Sequence, residues 1–186
     1  MDAKKLATLE DLLSVPEDQR AELINGEIIY NALPTVQRHG IAQGELRGIL
    51  HPLSRRGGGG DGGWWIVTEA GVRYSAHDAC VHDLAGWKRQ RMPEPLDDVY
   101  VTLTPDWVCE IPSPSNRNHD LVRKKAILHK AQVPYYWVID LADKILAVHR
   151  WHADGYLNIA NCVAGDRVKL APFEEVEVDV SYLMGD

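Results

Sequence analysis

The sequence predicts an α/β fold in which helices flank a central mixed β-sheet, built as one domain over residues 1–186. Three observations carry this reading. Residues 107–140 read as strand, helix, strand, a unit that favours a parallel pair joined by a right-handed crossover. The stretch 64–87 is rich in β-branched and aromatic residues and reads as consecutive strands. The pair Asn25-Gly26 lies between two apolar runs, a strong hairpin signal.

In chain order, Thr8–Leu13 reads as a short helix capped by Thr8. Ala21–Tyr30 is the hairpin. Residues 36–53 place Val36, Ile41, Leu46, Ile49, Leu50 and Leu53 at the spacing of an amphipathic helix. Arg55–Gly63 carries six glycines and no lysine followed by Ser or Thr. It therefore reads as a flexible loop rather than a phosphate-binding P-loop. Trp64–Val67, Gly71–Tyr74 and Val81–Trp87 read as strands. Lys88–Leu103, with two prolines and many charges, reads as an exposed excursion. Trp107–Ile111 is a strand stopped by Pro112 and Pro114, and Ser115–Asn118 supplies caps for a helix near 120–131. Tyr135–Asp140, Ile145–Trp151, Tyr156–Cys162 and Val176–Val180 complete the sheet. Neither an internal repeat nor a domain linker interrupts the chain.

The chain has 186 residues, enough for one full hydrophobic core, and its 45% hydrophobic and 25% charged content is ordinary for a soluble protein. No apolar run approaches the roughly 20 residues of a membrane span, and the N-terminus lacks the apolar stretch of a signal peptide. Three scattered cysteines, Cys80, Cys109 and Cys162, fit a reducing cytoplasm. Cys109 is expected to face the opposite side of its strand from Glu110 and to serve packing. A net charge of −7 argues against bulk attraction to a polyanion. Any nucleic-acid contact must come from a local basic surface, either Lys88–Arg91 or Arg117–Lys130.

Lys124 is the most informative residue. At helical spacing Leu121, Ile127, Leu128 and Ala131 share one arc, and Lys124 falls inside it while Arg123 and Lys130 point away. A lysine on a buried stripe costs several kcal/mol of desolvation unless a negative group meets it. Asp83 and Glu110 are the candidates, each in a short apolar run that reads as a buried strand. Glu110 follows Asp83 by 27 positions and precedes Lys124 by 14. Two strand-borne carboxylates suit Mg²⁺ or Mn²⁺. The metal would acidify a water and neutralise phosphate charge, and Lys124 would orient the water or stabilise the transition state. Blander readings stand beside this one: Asp83 pairing with Arg73, Lys124 as a structural partner of Glu110, Glu22 solvated beside the hairpin, His39 an ordinary helix histidine. His77-Asp78 and His82-Asp83 match the His-Asp dipeptide of metal phosphohydrolases, but those folds are helical and these pairs sit among strands.

The string Pro105-Asp-Trp-Val-Cys-Glu-Ile-Pro-Ser-Pro-Ser-Asn116, followed by Asp120, Lys124 and Val133–Asp140, resembles the Uma-two family of bacterial restriction-endonuclease-type proteins in the PD-(D/E)XK nuclease superfamily. The likeness runs from Glu22–Glu27 to Tyr182-Leu183. It implies a restriction-endonuclease-like fold with Asp83 and Glu110 at the metal and Lys124 as the catalytic lysine, carried on the helix. By the same resemblance Glu22 and His39 join the catalytic set. Two departures stand out. His82 replaces the proline before the aspartate, and Pro112 fills the usual lysine position of the strand motif. The expected activity is metal-dependent hydrolysis of DNA phosphodiester bonds, with DNA as partner and a twofold homodimer as the simplest way to cut both strands. The alternatives are an inactive DNA- or partner-binding module and a metal hydrolase acting on a small phosphoester.

Overall fold

A computed structural model describes residues 5–16, 18–31, 36–55, 62–113 and 119–185. Thr8 caps helix α1 (Leu9–Leu13), with its backbone N and its Oγ1 both donating to Asp11 Oδ2 at 2.8 and 2.9 Å. Strands β1 (Ala21–Ile24) and β2 (Glu27–Tyr30) form the expected hairpin. Its turn places Asn25 at φ +50° and Gly26 at φ +74°, the conformation that selects Asn-Gly. Helix α2 (Val36–Ile49) runs into a 3₁₀ turn at His51–Ser54. Ala42, Leu46, Leu50 and Leu53 form its buried stripe, whereas Ile41, expected on that stripe, is 47% exposed.

The two short strands expected at 64–67 and 71–74 are one long strand, β3 (Trp64–Ser75), paired antiparallel with β4 (Asp78–Lys88). Strand β5 (Trp107–Glu110) is followed by a π-helical turn (His119–Lys124), helix α3 (Lys125–Lys130) and strand β6 (Tyr135–Asp140). Strands β5 and β6 are parallel, as the strand-helix-strand reading requires. Strands β7 (Ile145–Arg150) and β8 (Leu157–Val163) extend the sheet antiparallel. The order is β2-β1-β4-β5-β6-β7-β8, with β3 on the other edge of β4. The last expected strand lies outside this sheet: β10 (Val178–Asp179) pairs with β9 (Arg167–Val168) in a separate ribbon before helix α4 (Val180–Met184). Most of the glycine loop (56–61) and residues 114–118, with their expected caps, fall outside the described residues.

Each face of the sheet carries its own core. One face packs Leu46 of α2, the adjoining Leu50 and Leu183 of α4 on Trp64, Trp107, Trp137 and Phe173. The rings meet edge to face, with Phe173 4.9 Å from both Trp64 and Trp107. The other face packs Leu128 and Val133 on Val72, Trp87, Val108, Tyr136 and Val138. Alternation along β5 therefore sends Cys109 to the first face and Val108 and Glu110 to the second. The 88–103 excursion is not simply exposed. Met92 is buried, and Val101 N donates to Gly71 O while Arg73 N donates to Val101 O, each at 2.9 Å. Among the described residues no helix is long and apolar enough to cross a membrane.

Candidate active site

The site forms where the sheet forks. Strand β4 gives one edge to β3 along its length and divides the other: Ala79 pairs with Leu23 of β1, and Leu84–Gly86 pair with β5. Between these contacts, on the edge away from β3, no strand pairs with Val81–Asp83, and side chains take up the backbone groups there. Val81 N donates to Glu22 Oε1 at 2.7 Å, Lys124 Nζ donates to Val81 O at 3.0 Å, and Gln43 Nε2 donates to Asp83 O at 2.8 Å. Crevices of this kind, where strand order diverges, are where α/β sheets bind ligands.

Lys124 enters from the π-helical turn and meets two buried carboxylates. Its Nζ lies 2.9 Å from Glu22 Oε1 and 3.4 Å from Glu110 Oε2. Glu22 and Glu110 are each 1% exposed and Lys124 4%. The three ammonium protons thus find acceptors in Glu22, Glu110 and Val81 O, which offsets the cost of burying the charge. Asn31 Nδ2 donates to the second oxygen of Glu22 at 2.7 Å.

Behind Glu110 stands His82, fully buried, with Nδ1 against Glu110 Oε1 and Nε2 2.7 Å from the Tyr74 hydroxyl. Burial, and then the charge of Lys124, hold the imidazole well below its ordinary pKa, so it is neutral. These partners assign the tautomer: Nδ1–H donates to Glu110, and Nε2 accepts from Tyr74. Burial pushes the Tyr74 phenol well above its usual range, which keeps that proton in place.

Asp83 faces a different set. Its Oδ2 accepts from Ile111 N at 2.6 Å, and its Oδ1 lies 3.0 Å from His39 Nε2 on α2. The carboxylate raises the pKa of His39, against an opposing effect of burial. Glu69 of β3 joins them, its carboxylate accepting from Gln43 Nε2 at 3.0 Å and pairing with Arg20 at 3.4 Å. One ligand-type atom from each of His39, Glu69 and Asp83 lies within 4.8 Å of the others.

Glu22, Asn31, His39, Glu69, Asp83, Glu110 and Lys124 border one cleft of about 390 Å³, which Tyr100 and Ser113 also line. Four carboxylates (Glu22, Glu69, Asp83, Glu110) line it against two fixed cations, Lys124 and Arg20. Such a cleft repels a phosphate unless a further cation enters. His39 Nε2, 3.0 Å from Asp83 Oδ1, is engaged with that carboxylate, the main cause of its raised pKa. An imidazole beside two carboxylates is a donor set that fits a divalent ion once the imidazole is deprotonated.

The five residues singled out from sequence, Glu22, His39, Asp83, Glu110 and Lys124, all line this cleft. Glu22 is ion-paired and buried rather than solvated, and Asp83 meets His39 rather than Arg73. The sequence reading missed Glu69, Gln43, Asn31, Tyr74 and the contact of His82 with Glu110. The replacement of proline by His82 was the available signal for the last of these. Glu69 was hidden because it fell in the supposed gap between two strands.

A solved structure described as "a putative nuclease belonging to DUF820 from Anabaena variabilis ATCC 29413" matches the fold with a TM-score of 0.74 at 20% identity, covering 96% of this chain and 97% of that one. No functionally curated protein shows significant similarity to the chain. The family model Uma2, described as "Putative restriction endonuclease", matches residues 6–181. The chain belongs to the Uma2 family.

Proposed function

We propose that this protein is a metal-dependent DNA endonuclease that hydrolyses phosphodiester bonds in the cleft at the β4 fork. The observation that carries the reading is the buried lysine held between two glutamates beside a second, ligand-like set around Asp83. A bound Mg²⁺ or Mn²⁺ would supply an acidified water and neutralise charge on the phosphate. Asp83 is the carboxylate proposed to hold that ion, braced by Ile111 N. Glu22 and Glu110 fix Lys124 at the cleft wall, where its ammonium faces the negative charge that develops on the phosphate. Loss of one such contact typically costs roughly 3–4 kcal/mol of barrier. His82 locks the rotamer of Glu110, and His39 stands next to Asp83. A twofold dimer would present two clefts to the two strands. The net charge of −7 means that DNA affinity rests on local phosphate contacts and falls steeply with salt.

The test of substrate class is incubation of the protein with supercoiled plasmid and, separately, with bis(p-nitrophenyl) phosphate, at low salt with Mg²⁺ or Mn²⁺. Nicking of the plasmid that stops on chelation supports the proposal. Turnover of the ester without plasmid nicking would identify a small-phosphoester hydrolase instead. Metal binding with neither activity would identify a binding module.

A further inference from the structure

A second cavity, of about 320 Å³, lies across the π-helical turn from the cleft, on the face of the sheet that carries Glu110. Its floor is three cross-strand pairs of β6 and β7: Tyr136 with His149, Val138 with Ala147, and Asp140 with Ile145. Leu121 and Lys125 wall it from the turn and α3, whereas Lys124 between them lines the cleft. Aliphatic and aromatic groups make up most of the lining, as in sites that hold small molecules.

The charges of this cavity are separated along the strands. Lys125 lies at the His149 end, where burial and then its own charge lower the pKa of that imidazole and keep it neutral. His149 Nδ1–H donates to Tyr136 O at 3.3 Å. Asp140 lies at the other end, four residues along β6 or about 13 Å away, with Asp143 on the turn that follows. Asp140 Oδ1 is held by Ala142 N and Asp143 N at 3.1 and 3.0 Å. Among the described residues the half-buried Lys125 ammonium makes neither an ion pair nor a hydrogen bond. Burial alone shifts its pKa, downward, with no carboxylate to oppose it. A partly desolvated ammonium without a counter-ion, at the end of an apolar trough, is complementary to one anionic group on an apolar body. A doubly charged group fits less well, because Asp140 and Asp143 line the same cavity and oppose a second negative charge.

We propose that this cavity binds a small monocarboxylate with a flat apolar body, its carboxylate on Lys125 Nζ and its body across Val138 and Ala147. The site does not depend on the nuclease reading, although its ligand would rest against the turn that carries Lys124.

The experiment is an amide NMR titration of the full chain near neutral pH with three probes of similar shape: benzoate, phenyl phosphate and benzamide. Benzoate should shift the amides of Leu121, Lys125, Ala147 and His149 saturably, with a Kd of about 1 mM or below. Benzamide, which lacks the charge, and phenyl phosphate, which adds a second, should each bind at least about tenfold more weakly. This comparison uses the unmodified protein and is independent of any variant's folding. Lys125→Met should weaken benzoate by about tenfold or more and leave benzamide within about twofold. Ala147→Phe, which fills the trough, should abolish binding of both. No saturable shift at about 20 mM benzoate would overturn the proposal. So would saturation that maps to Arg20 and Lys124 in the cleft or to Leu157, Ile159 and Val163 on β8, or benzoate affinity unchanged in Lys125→Met. Phenyl phosphate binding more tightly than benzoate would overturn the assignment to a monocarboxylate.

Discussion

Replacing Lys124 with Met leaves the buried carboxylates of Glu22 and Glu110 without the cation that lies between them. At an effective dielectric of about 20, ammonium–oxygen distances of 2.9 and 3.4 Å correspond to about 5–6 kcal/mol of gross attraction each. Desolvation of three buried ions consumes much of that gain, so the attraction is not the net effect. The relevant comparison is a buried pair broken from one side, which costs about 3–5 kcal/mol. Lys124→Met should therefore destabilise the fold by about 3–5 kcal/mol, a fall in Tm of about 6–20 °C for a domain of this size. Glu22→Gln should cost less, because Lys124 keeps Glu110 and the Val81 carbonyl. In the Lys124→Met background the sign should reverse: Glu22→Gln then removes an uncompensated buried charge and stabilises. Urea unfolding of the four proteins at neutral pH, read as a double-mutant cycle, measures this coupling. A cost below about 1 kcal/mol for Lys124→Met, or a destabilising Glu22→Gln in that background, would refute the reasoning.

Three further outcomes follow from contacts elsewhere. His82→Leu strips a donor from Glu110 and an acceptor from Tyr74, and should cost about 1–3 kcal/mol per group left unpaired; His82→Asn, whose amide nitrogen can replace Nδ1, should recover part of this in thermal unfolding. His149 has its pKa pushed down to about 4 by burial and then by Lys125, so the unfolded chain protonates first as pH falls. Its stabilisation is complete above about pH 6.5 and lost between there and about pH 4. Screening at this half-buried position leaves about 1–2 kcal/mol, so His149→Phe should lose that much less stability than wild type between pH 7 and pH 4. Gly71→Ala would bring a Cβ to 2.4 Å from the Val99 carbonyl, displacing the segment that carries Tyr100 to the cleft; a cost of about 1–3 kcal/mol is expected in urea unfolding.

Asp83, Glu110 and Lys124 were legible because each is a charge set into an apolar, periodic element, and burial of a charge demands a partner. The Asn25-Gly26 hairpin and the parallel pair around α3 were legible because turn chemistry and element order are local properties. Glu69 was not, since its left-handed backbone interrupts the alternation and made one strand look like two. The π-helical turn that delivers Lys124 left no mark in the spacing either. Periodicity placed Ile41 inward, yet the stripe of α2 is set by Ala42 and Leu46, packed against the sheet. The division of β4 between β1 and β5 is a long-range event, and only it explains why Val81 and Asp83 have backbone groups that side chains must satisfy. The final strand was assigned to the central sheet because its composition fits any sheet; its partner, Arg167–Val168, is too short to read from sequence.

The central claim is that one cleft, through Glu110 and Lys124, hydrolyses DNA with a divalent ion. Its most direct test is plasmid nicking at low salt with Mn²⁺ or Mg²⁺, comparing wild type with Glu110→Ala and Lys124→Ala, each checked for folding by circular dichroism. The account predicts cleavage by wild type and a loss of about a hundredfold or more in both folded variants. Metal-dependent cleavage that persists undiminished in folded Glu110→Ala would contradict it.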